Sequence, residues 1–563
     1  MSIRDQLRER IRAERAAQAP WEVGKLVAAI AGGEGLAARD NLLFFTPPAE
    51  FPRRLSSLRQ ALDDRFARAQ GAEQEQVLRF LADMAISLRS FLPAWNLRSG
   101  LGGAQLEEEA AATANLAARL AATAAPGVVS ALLADWLAYA RARLEAEKAA
   151  DPAAMAAHLV GDSVAHYIER MSAAVTSGYL RRVAEARYRG ETITELGNDY
   201  AAYLDYAMYL GVSFETTNPP LIDVAWTADP ARWDKVVDRI IAANPTASDE
   251  ELARLVTLEV VFANMRLLRP IFLLTEGRMG LVSLQVNPKK HGDADSMIAD
   301  ATAIYRELQA KLGGQVPNVV FKLPATYAGL KACRHLTLQG IGVNITVNFG
   351  MYQEMPFAQA ISEGEALAAY LTEMNGRLAF PVRDELLAKA AGLGISESEA
   401  REAAAWSGVA IHKRLMRAIL EKGYDPERVR PLVASLRWYA GAGYEHLPNP
   451  CPDVIDDMGT TVITIFPNIR HALDITPGLP FDGRQIEAPV PESALQVLEH
   501  SEIFKQGYYL PGDDARFRPE KVLSLEDEAA NAAWAPVAAT LNEFCNAYDK
   551  FVARIAARRP AGR

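Results

Sequence analysis

Short β-rich runs alternate with helical stretches after about residue 195, and this alternation limits the folds open to the chain. The β-rich runs are YLGVSFE (209–215), LVSLQVN (281–287), NVVFKL (318–323), VNITVNF (343–349), LVASLR (432–437) and TTVITIF (460–466). Amphipathic helical stretches such as 293–312 and 425–435 lie between several of them. Alternating β and α elements favour a mostly parallel sheet covered by helices. Spread over more than 300 residues, the pattern predicts an α/β fold of the (β/α)8 TIM-barrel class, with a doubly wound sheet as the alternative.

The first ~190 residues have a different composition, rich in Ala, Arg, Glu and Leu with helical spacing. Ile3, Leu7 and Ile11 recur every four residues and form one apolar stripe of a helix. We therefore predict an all-helical N-terminal domain of unknown role over residues 1–190. The barrel, with C-terminal helices, is expected over residues 195–563.

The overall composition argues against some classes of function. The chain has 563 residues and a formal net charge of −10, so nucleic acid is not expected as a partner. No run of 18 uncharged apolar residues occurs, and the charged N-terminus lacks an apolar signal core. We therefore expect no membrane partner and a cytoplasmic protein. The sequence leaves the oligomeric state open, a homo-oligomer included.

The cysteines and histidines give no sign of a disulfide framework or a metal site. The three cysteines, Cys333, Cys451 and Cys545, are widely separated, which agrees with a reducing compartment. His446 and Asp453 lie near Cys451 in a Pro-rich loop, but the spacing is not that of metal ligands.

Polar side chains lie at the ends of, or inside, the apolar runs, where a parallel α/β fold carries its functional site. A lysine at a strand end is usually solvated, and each residue alone is ordinary. Together they predict a site that recognises hydroxyl groups and an anion. The set comprises Asn218, Gln285, Lys322, Asn344, Thr346, Arg377, Ser435 and Arg437.

Five motifs in this region resemble the transaldolase family, in its order and roughly its spacing. They are TTNPPLI (216–222), VSLQVNP (282–288), VFKLPATYAGLKA (320–332), GIGVNITVNF (340–349) and ASLR (434–437). The resemblance covers about residues 195–563 and implies a (β/α)8 class I aldolase without metal or cofactor. It implies transfer of a dihydroxyacetone unit between phosphorylated sugars, as in the pentose phosphate pathway.

The resemblance gives Lys322 the central role, a Schiff base with the carbonyl of a ketose. An amine attacks only when neutral, and free lysine has a pKa near ~10.4. Burial in a barrel lowers that pKa, which explains a lysine at this position.

Further roles carry over residue by residue. Asn218 corresponds to the family's Asn that hydrogen-bonds the dihydroxyacetone part. Asn344 and Thr346 match the strand beside the catalytic water and the Schiff base.

The phosphate-binding positions of the family also have counterparts. Ser435, Arg437 and Arg377 match the residues that grip the sugar phosphate, and paired arginines suit a phosphate through bidentate hydrogen bonds. Thr372 stands where the family usually has Ser and keeps the hydroxyl.

Two positions concern proton transfer. The family has an Asp on its first strand, for which Asp199 is the preferred match and Asp205 the alternative. Gln285 stands where transaldolases usually have Glu. A glutamine can hold a water molecule but cannot take its proton.

The fructose-6-phosphate aldolases, a subgroup of the same superfamily, also use Gln there and add a Tyr near the barrel mouth. Phe349 lies at the nearest equivalent position, so the phenol is absent there, and Tyr352, three residues further on, is the candidate to replace it. Gln285 therefore keeps a second function open, aldol cleavage that releases dihydroxyacetone. A catalytically impaired sugar-phosphate-binding protein is a third, against which the retained Lys322 argues.

Overall fold

The computed structural model describes residues 1–91, 102–513 and 518–559. Eight parallel strands follow one another around a closed barrel in sequence order, which confirms the predicted (β/α)8 class. The strands are β1 (Glu195–Asn198), β2 (Phe214–Thr216), β3 (Leu281–Gln285), β4 (Val319–Pro324), β5 (Gly342–Asn348), β6 (Ala369–Glu373), β7 (Val429–Val433) and β8 (Val462–Ile465).

Helices make up the described secondary structure before the barrel, as expected for the N-terminal region. They are Ile3–Ala16, Val23–Ala31, Gly35–Asp40, the π-helical turn Asn41–Phe45, Phe51–Phe66, Ala72–Ser90, Gly103–Ala121, Val128–Ala146, Pro152–Val160, Val164–Thr176 and Tyr179–Tyr188. The division of the chain between residues 190 and 195 remains a prediction.

The helices of the barrel cover its outside and are followed by C-terminal helices. Those between β1 and the end of the barrel are Leu204–Tyr209, Pro219–Ala228, Pro230–Ala243, Asp249–Leu274, Ala294–Lys311, Tyr327–Leu338, Met351–Glu363, Asn375–Leu393, Glu397–Ala405, Ser407–Glu421, Pro452–Ile455 and Pro467–Ile475, with short 3-10 turns at Pro288–Lys290 and Gln485–Glu487. The C-terminal helices are Glu492–Leu498, Glu502–Tyr508, Glu528–Ala533 and Ala535–Arg558. Within the described ranges, none of the helices is long and apolar enough to span a membrane.

One predicted helix is wrong. The stretch 425–435 contains β7, whose residues are all buried in the sheet between β6 and β8. Val429, Leu432 and Val433 give it the buried apolar character of a parallel strand, which outweighs the helical spacing. The strand stops before Ser435, whose backbone takes a positive φ of 58°, so the run 432–437 is a strand only at its start.

Large side chains fill the barrel interior at its amino-terminal end. The rings of Phe214 and Tyr370, from opposite sides of the barrel, lie 4.6 Å apart between centroids. Beside them the buried carboxylate of Glu195 accepts a hydrogen bond from Arg430 at 2.7 Å and from Ser213 at 2.8 Å. Further hydrogen bonds help to offset the desolvation of such a buried ion pair, and Arg430 Nη1 also donates to the Tyr370 hydroxyl at 2.9 Å.

The first helix, Ile3–Ala16, closes the amino-terminal end of the barrel. Its stripe residues Leu7 and Ile11 are buried in one apolar cluster with Phe214 and Tyr370 of the barrel interior. At Gly340, just before β5, an added Cβ would lie 2.9 Å from Leu7, so the helix approaches the barrel backbone closely. The helix is thus packed on the barrel although it belongs to the predicted N-terminal domain.

Replacing Ile11 by alanine is expected to lower the free energy of unfolding by about 2–5 kcal/mol, because a fully buried side chain leaves a cavity. Chemical denaturation followed by far-ultraviolet circular dichroism measures the loss. Glu9→Ala, on the exposed side of the same helix, is the control and should change stability little. Equal stability of Ile11→Ala and Glu9→Ala would contradict the packing of this helix on the barrel.

Candidate active site

Lys322 lies on β4 inside the barrel, in register with Gln285 of β3 and Asn344 of β5. Only 4% of the residue is exposed to solvent. Burial lowers the pKa of its amine, while the nearby charge of Asp199 acts in the opposite direction. The strand therefore presents an amine that loses its proton more readily than an exposed lysine does.

Asp199 directly follows β1 and is buried near the amine of Lys322. Its carboxylate accepts a hydrogen bond from the Thr216 hydroxyl at 2.7 Å, and Thr216 also lies 2.8 Å from the Thr464 hydroxyl. Burial raises the pKa of Asp199, and the charge of Lys322 opposes that shift. Because the pKa values of the carboxyl and the amine move towards each other, a proton passes between such groups at lower cost.

Asp205, the alternative first-strand residue, lies elsewhere. It sits in the helix Leu204–Tyr209 and accepts a hydrogen bond from the Tyr139 hydroxyl of the N-terminal region at 2.7 Å. The position near Lys322 therefore belongs to Asp199.

Asn344 is held in one orientation by hydroxyl groups of neighbouring strands. Its Nδ2 donates to Ser283 Oγ of β3 at 2.9 Å, and its Oδ1 accepts from the Thr372 hydroxyl of β6. Thr372 lies on the adjacent strand, whereas the bond to Ser283 reaches across β4, so these side chains point into the barrel. Thr346, two residues further along β5, is buried and has Met374 Sδ 3.6 Å from its hydroxyl.

Two arginines lie near each other beyond the strand ends. Arg377 is in the first turn of the helix Asn375–Leu393, and Arg437 follows β7. Gly376 permits this arrangement, since a Cβ there would lie 2.3 Å from the Ser435 carbonyl oxygen and 2.4 Å from Arg437 Cγ. Both guanidinium charges act on the Asp199 carboxylate, which connects the arginine pair to the lysine end of the site.

Each arginine is positioned by contacts within the chain. Arg437 Nη1 donates to the carbonyl of Ser435 at 2.9 Å, and its backbone N–H donates to Asp453 at 2.9 Å. Arg377 donates through Nη1 and Nη2 to the two carboxylate oxygens of Glu543, with the Nη2 bond at 2.7 Å. An internal carboxylate therefore lies against one of the two arginines predicted to bind phosphate.

Asn218 and Gln285 contribute in different ways. Asn218 caps the helix Pro219–Ala228, and its Oδ1 accepts the N–H of Leu221 at 3.0 Å while the residue stays half-buried. The Oε1 atom of Gln285 is buried and has no hydrogen-bond partner within the described residues. A buried amide oxygen without a partner is suited to accept a hydrogen bond from a bound hydroxyl group or water.

Tyr352 does not lie free at the barrel mouth. Its hydroxyl donates to Asn531 Oδ1 at 2.7 Å, and burial raises the pKa of the phenol well above its usual value. Phe349 is fully buried as well, with its ring against Trp534.

Several residues of the site were not identified from the sequence. Thr216 and Ser283 each lie two positions before a predicted residue, Asn218 and Gln285. For Ser283, the alternation of side chains along β3 could have revealed that it shares the inward face with Gln285. Glu543 comes from the last helix, more than 160 positions after Arg377, and no motif signals it. Within the described ranges, no group of three or more His, Cys, Asp or Glu side chains could hold a metal ion.

The fold and the site define a (β/α)8 protein with a desolvated lysine, a neighbouring carboxylate and an arginine pair. The sequence model of the family described as Transaldolase/Fructose-6-phosphate aldolase matches residues 199–487, just over half of the chain. The chain belongs to this family, and the resemblance seen in the motifs is confirmed.

Curated relatives agree with this assignment. Transaldolase 1 of Streptomyces avermitilis is 29% identical over 204 residues, which cover 36% of this chain and 49% of the relative. The transaldolase of Thermobifida fusca is 28% identical over 184 residues, with coverage of 33% and 45%. That of Mycolicibacterium smegmatis is 29% identical over 194 residues, with coverage of 34% and 47%. The chain thus spans about half the length of the curated relatives it matches.

Asp199→Asn is expected to lower the pKa of Lys322 further, because it removes the negative charge that opposes desolvation. A lower pKa leaves more of the amine neutral at a given pH, so labelling of Lys322 shifts to lower pH. Reductive methylation with formaldehyde and borohydride, followed by peptide mass spectrometry over a pH series, measures the shift. Asp205→Asn is the matched control and should leave the profile unchanged. A shift to higher pH in Asp199→Asn would refute the proposed coupling.

Proposed function

We propose that the protein transfers a dihydroxyacetone unit between phosphorylated sugars through a Schiff base on Lys322. The observation that carries the proposal is the buried amine of Lys322 beside the buried carboxylate of Asp199. The arginines Arg377 and Arg437 lie at the same end of the barrel and suit the phosphate of the substrate.

The first step is formation of the carbon–nitrogen bond. The neutral Lys322 amine attacks the C2 carbonyl of a ketose phosphate, and loss of water gives an iminium ion. Because burial lowers the pKa of Lys322, more of the amine is neutral at a given pH than for an exposed lysine. The positive iminium then replaces the ammonium as the charge facing Asp199, so the electrostatic balance of the site is kept.

The second step is cleavage of the bond between C3 and C4. Asp199 accepts the proton of the C4 hydroxyl as that oxygen becomes the aldehyde carbonyl, and the electron pair of the bond moves into the iminium to form an enamine. An acceptor aldehyde then adds to the enamine, with Asp199 returning the proton. Hydrolysis of the new iminium releases the product and regenerates the Lys322 amine.

The hydroxyl groups of the sugar need fixed partners during these steps. Asn344 has its amide locked by Ser283 and Thr372, so its orientation does not change as the substrate reacts. Asn218 Nδ2 and Gln285 Oε1 offer a donor and an acceptor to the dihydroxyacetone part. Rigid polar groups of this kind stabilise developing charge without reorganisation.

Gln285 favours a second candidate, aldol cleavage that releases free dihydroxyacetone. The fructose-6-phosphate aldolases carry Gln at the corresponding position, and release requires protonation of the enamine carbon and hydrolysis of the iminium by water. A glutamine can hold that water but cannot take its proton. The balance between transfer and release therefore depends on how water is activated beside Gln285.

Borohydride reduction in the presence of fructose 6-phosphate is expected to fix a three-carbon adduct on Lys322. Tryptic peptide mass spectrometry locates the adduct. Lys322→Met should carry none, while Lys331→Met, which changes an exposed lysine of the following helix, should be labelled like the wild type. Absence of an adduct from the wild-type protein would refute both the transferase and the aldolase.

Gln285→Glu is expected to raise the ratio of transfer to free cleavage, because it places at this position the residue that transaldolases usually have in place of the Gln of the fructose-6-phosphate aldolases. Rates are measured with fructose 6-phosphate alone and then with erythrose 4-phosphate as the acceptor. Gln285→Ala serves as the control for a general disturbance of the site. An unchanged or lower ratio in Gln285→Glu would contradict the role assigned to this position.

A further inference from the structure

The carboxylate of Glu543 occupies the position in front of Arg377 Nη1 and Nη2, which we call the anion seat. Both nitrogens donate to it, one to each oxygen, as they would to an oxygen pair of a phosphate. The contact lies at the site itself, because Arg377 also acts on the Asp199 carboxylate beside Lys322. An internal anion thus fills the seat that the substrate's phosphate is proposed to take.

The electrostatics of the contact are those of an ionised pair. The hydrogen bond from Arg377 lowers the pKa of Glu543, and the charge of Arg437 acts in the same direction. The charges of Arg377, Arg437 and Glu543 together sum to a single positive charge. Once Glu543 leaves, the two arginines match a phosphate dianion in charge.

The contact is also built to open. The Glu543 side chain is 53% exposed, whereas that of Arg377 is 20% exposed, so the carboxylate approaches from the solvent side and can return to water. The Nε of Arg377 is buried without an acceptor, so the two oxygens of Glu543 leave the guanidinium incompletely satisfied.

The helix that carries Glu543 is fixed, so opening requires movement of one side chain only. Phe544, the next residue of Ala535–Arg558, is 1% exposed, and the ring packs near the Arg377 guanidinium. Asp549 of the same helix accepts a hydrogen bond from Lys289 at 2.8 Å, and Arg558 donates to Asp238 at 2.7 Å.

We propose that Glu543 is a specificity-determining residue, which competes with the substrate's phosphate for Arg377 and sets how strongly the site prefers phosphorylated over unphosphorylated sugars. A phosphorylated sugar must break the Glu543–Arg377 contact to bind, and the free energy of that contact is subtracted from its binding free energy. An unphosphorylated sugar leaves Glu543 in the anion seat, so its binding free energy is not reduced. The competition therefore weakens binding of phosphorylated ligands alone, and this reading rests on the proposed function.

Titration of inorganic phosphate into Glu543→Gln by isothermal calorimetry tests the competition without any turnover. Loss of a partly exposed bidentate ion pair should remove a modest competing interaction. We therefore expect Glu543→Gln to bind phosphate about three- to tenfold more tightly than the wild type does. Asp549→Asn removes the same charge from the same helix away from Arg377, and its phosphate affinity should stay that of the wild type. Unchanged or weaker binding in Glu543→Gln, or equal tightening in Asp549→Asn, would overturn the proposal. Absence of phosphate binding in all variants would overturn it as well.

Steady-state kinetics with phosphorylated and unphosphorylated fructose tests whether Glu543 affects specificity. In Glu543→Gln the KM for fructose 6-phosphate should fall by the same factor as the phosphate dissociation constant, while the KM for fructose stays unchanged. A fall in both KM values would overturn the competition. Failure of borohydride trapping on Lys322 would refute the proposed function alone, because phosphate binding is measured independently of it.

Discussion

Every side chain that points into a closed eight-stranded barrel must find a partner there, and this requirement shapes the whole structure. At the amino-terminal end the requirement is met by the contact between the tilted rings of Phe214 and Tyr370 and by the Glu195–Arg430 ion pair. Towards the carboxyl end, the Lys322 amine has Asp199 as its opposing charge. The barrel interior is thus packed at its amino-terminal end and polar at its carboxyl-terminal mouth. At the mouth, groups such as Gln285 Oε1 remain able to bind a ligand.

At the mouth of the barrel, proton transfer and hydrogen bonding are assigned to two different residues. Asp199 is a buried carboxyl whose pKa is raised by desolvation, so it can hold a proton at a pH where an exposed aspartate cannot. Gln285, in register with Lys322, offers hydrogen bonds but no titratable group. In the proposed reaction, proton transfer at the sugar oxygen therefore falls to Asp199, and the fate of the enamine depends on water near Gln285.

The fold class could be predicted from the sequence because most strands are apolar runs between helices. β1 and β6 were not among the predicted strands, since Glu195 and Asn198 in β1 and Thr372 and Glu373 in β6 interrupt the apolar pattern. Residues such as Lys322 could be predicted because the parallel barrel brings strand ends together. Glu543 could not, because its contact with Arg377 depends on how the last helix packs.

The position of the first helix has a consequence for the order of folding. Leu7 and Ile11 are synthesised before their apolar partners, which extend to Leu432 and Val462. At typical rates of synthesis, the ribosome needs on the order of half a minute to make the chain between them. The helix can form early from local contacts, but its apolar stripe stays uncovered until the barrel closes. Packing of the first helix therefore cannot be completed before the strands that carry Leu432 and Val462 have been made.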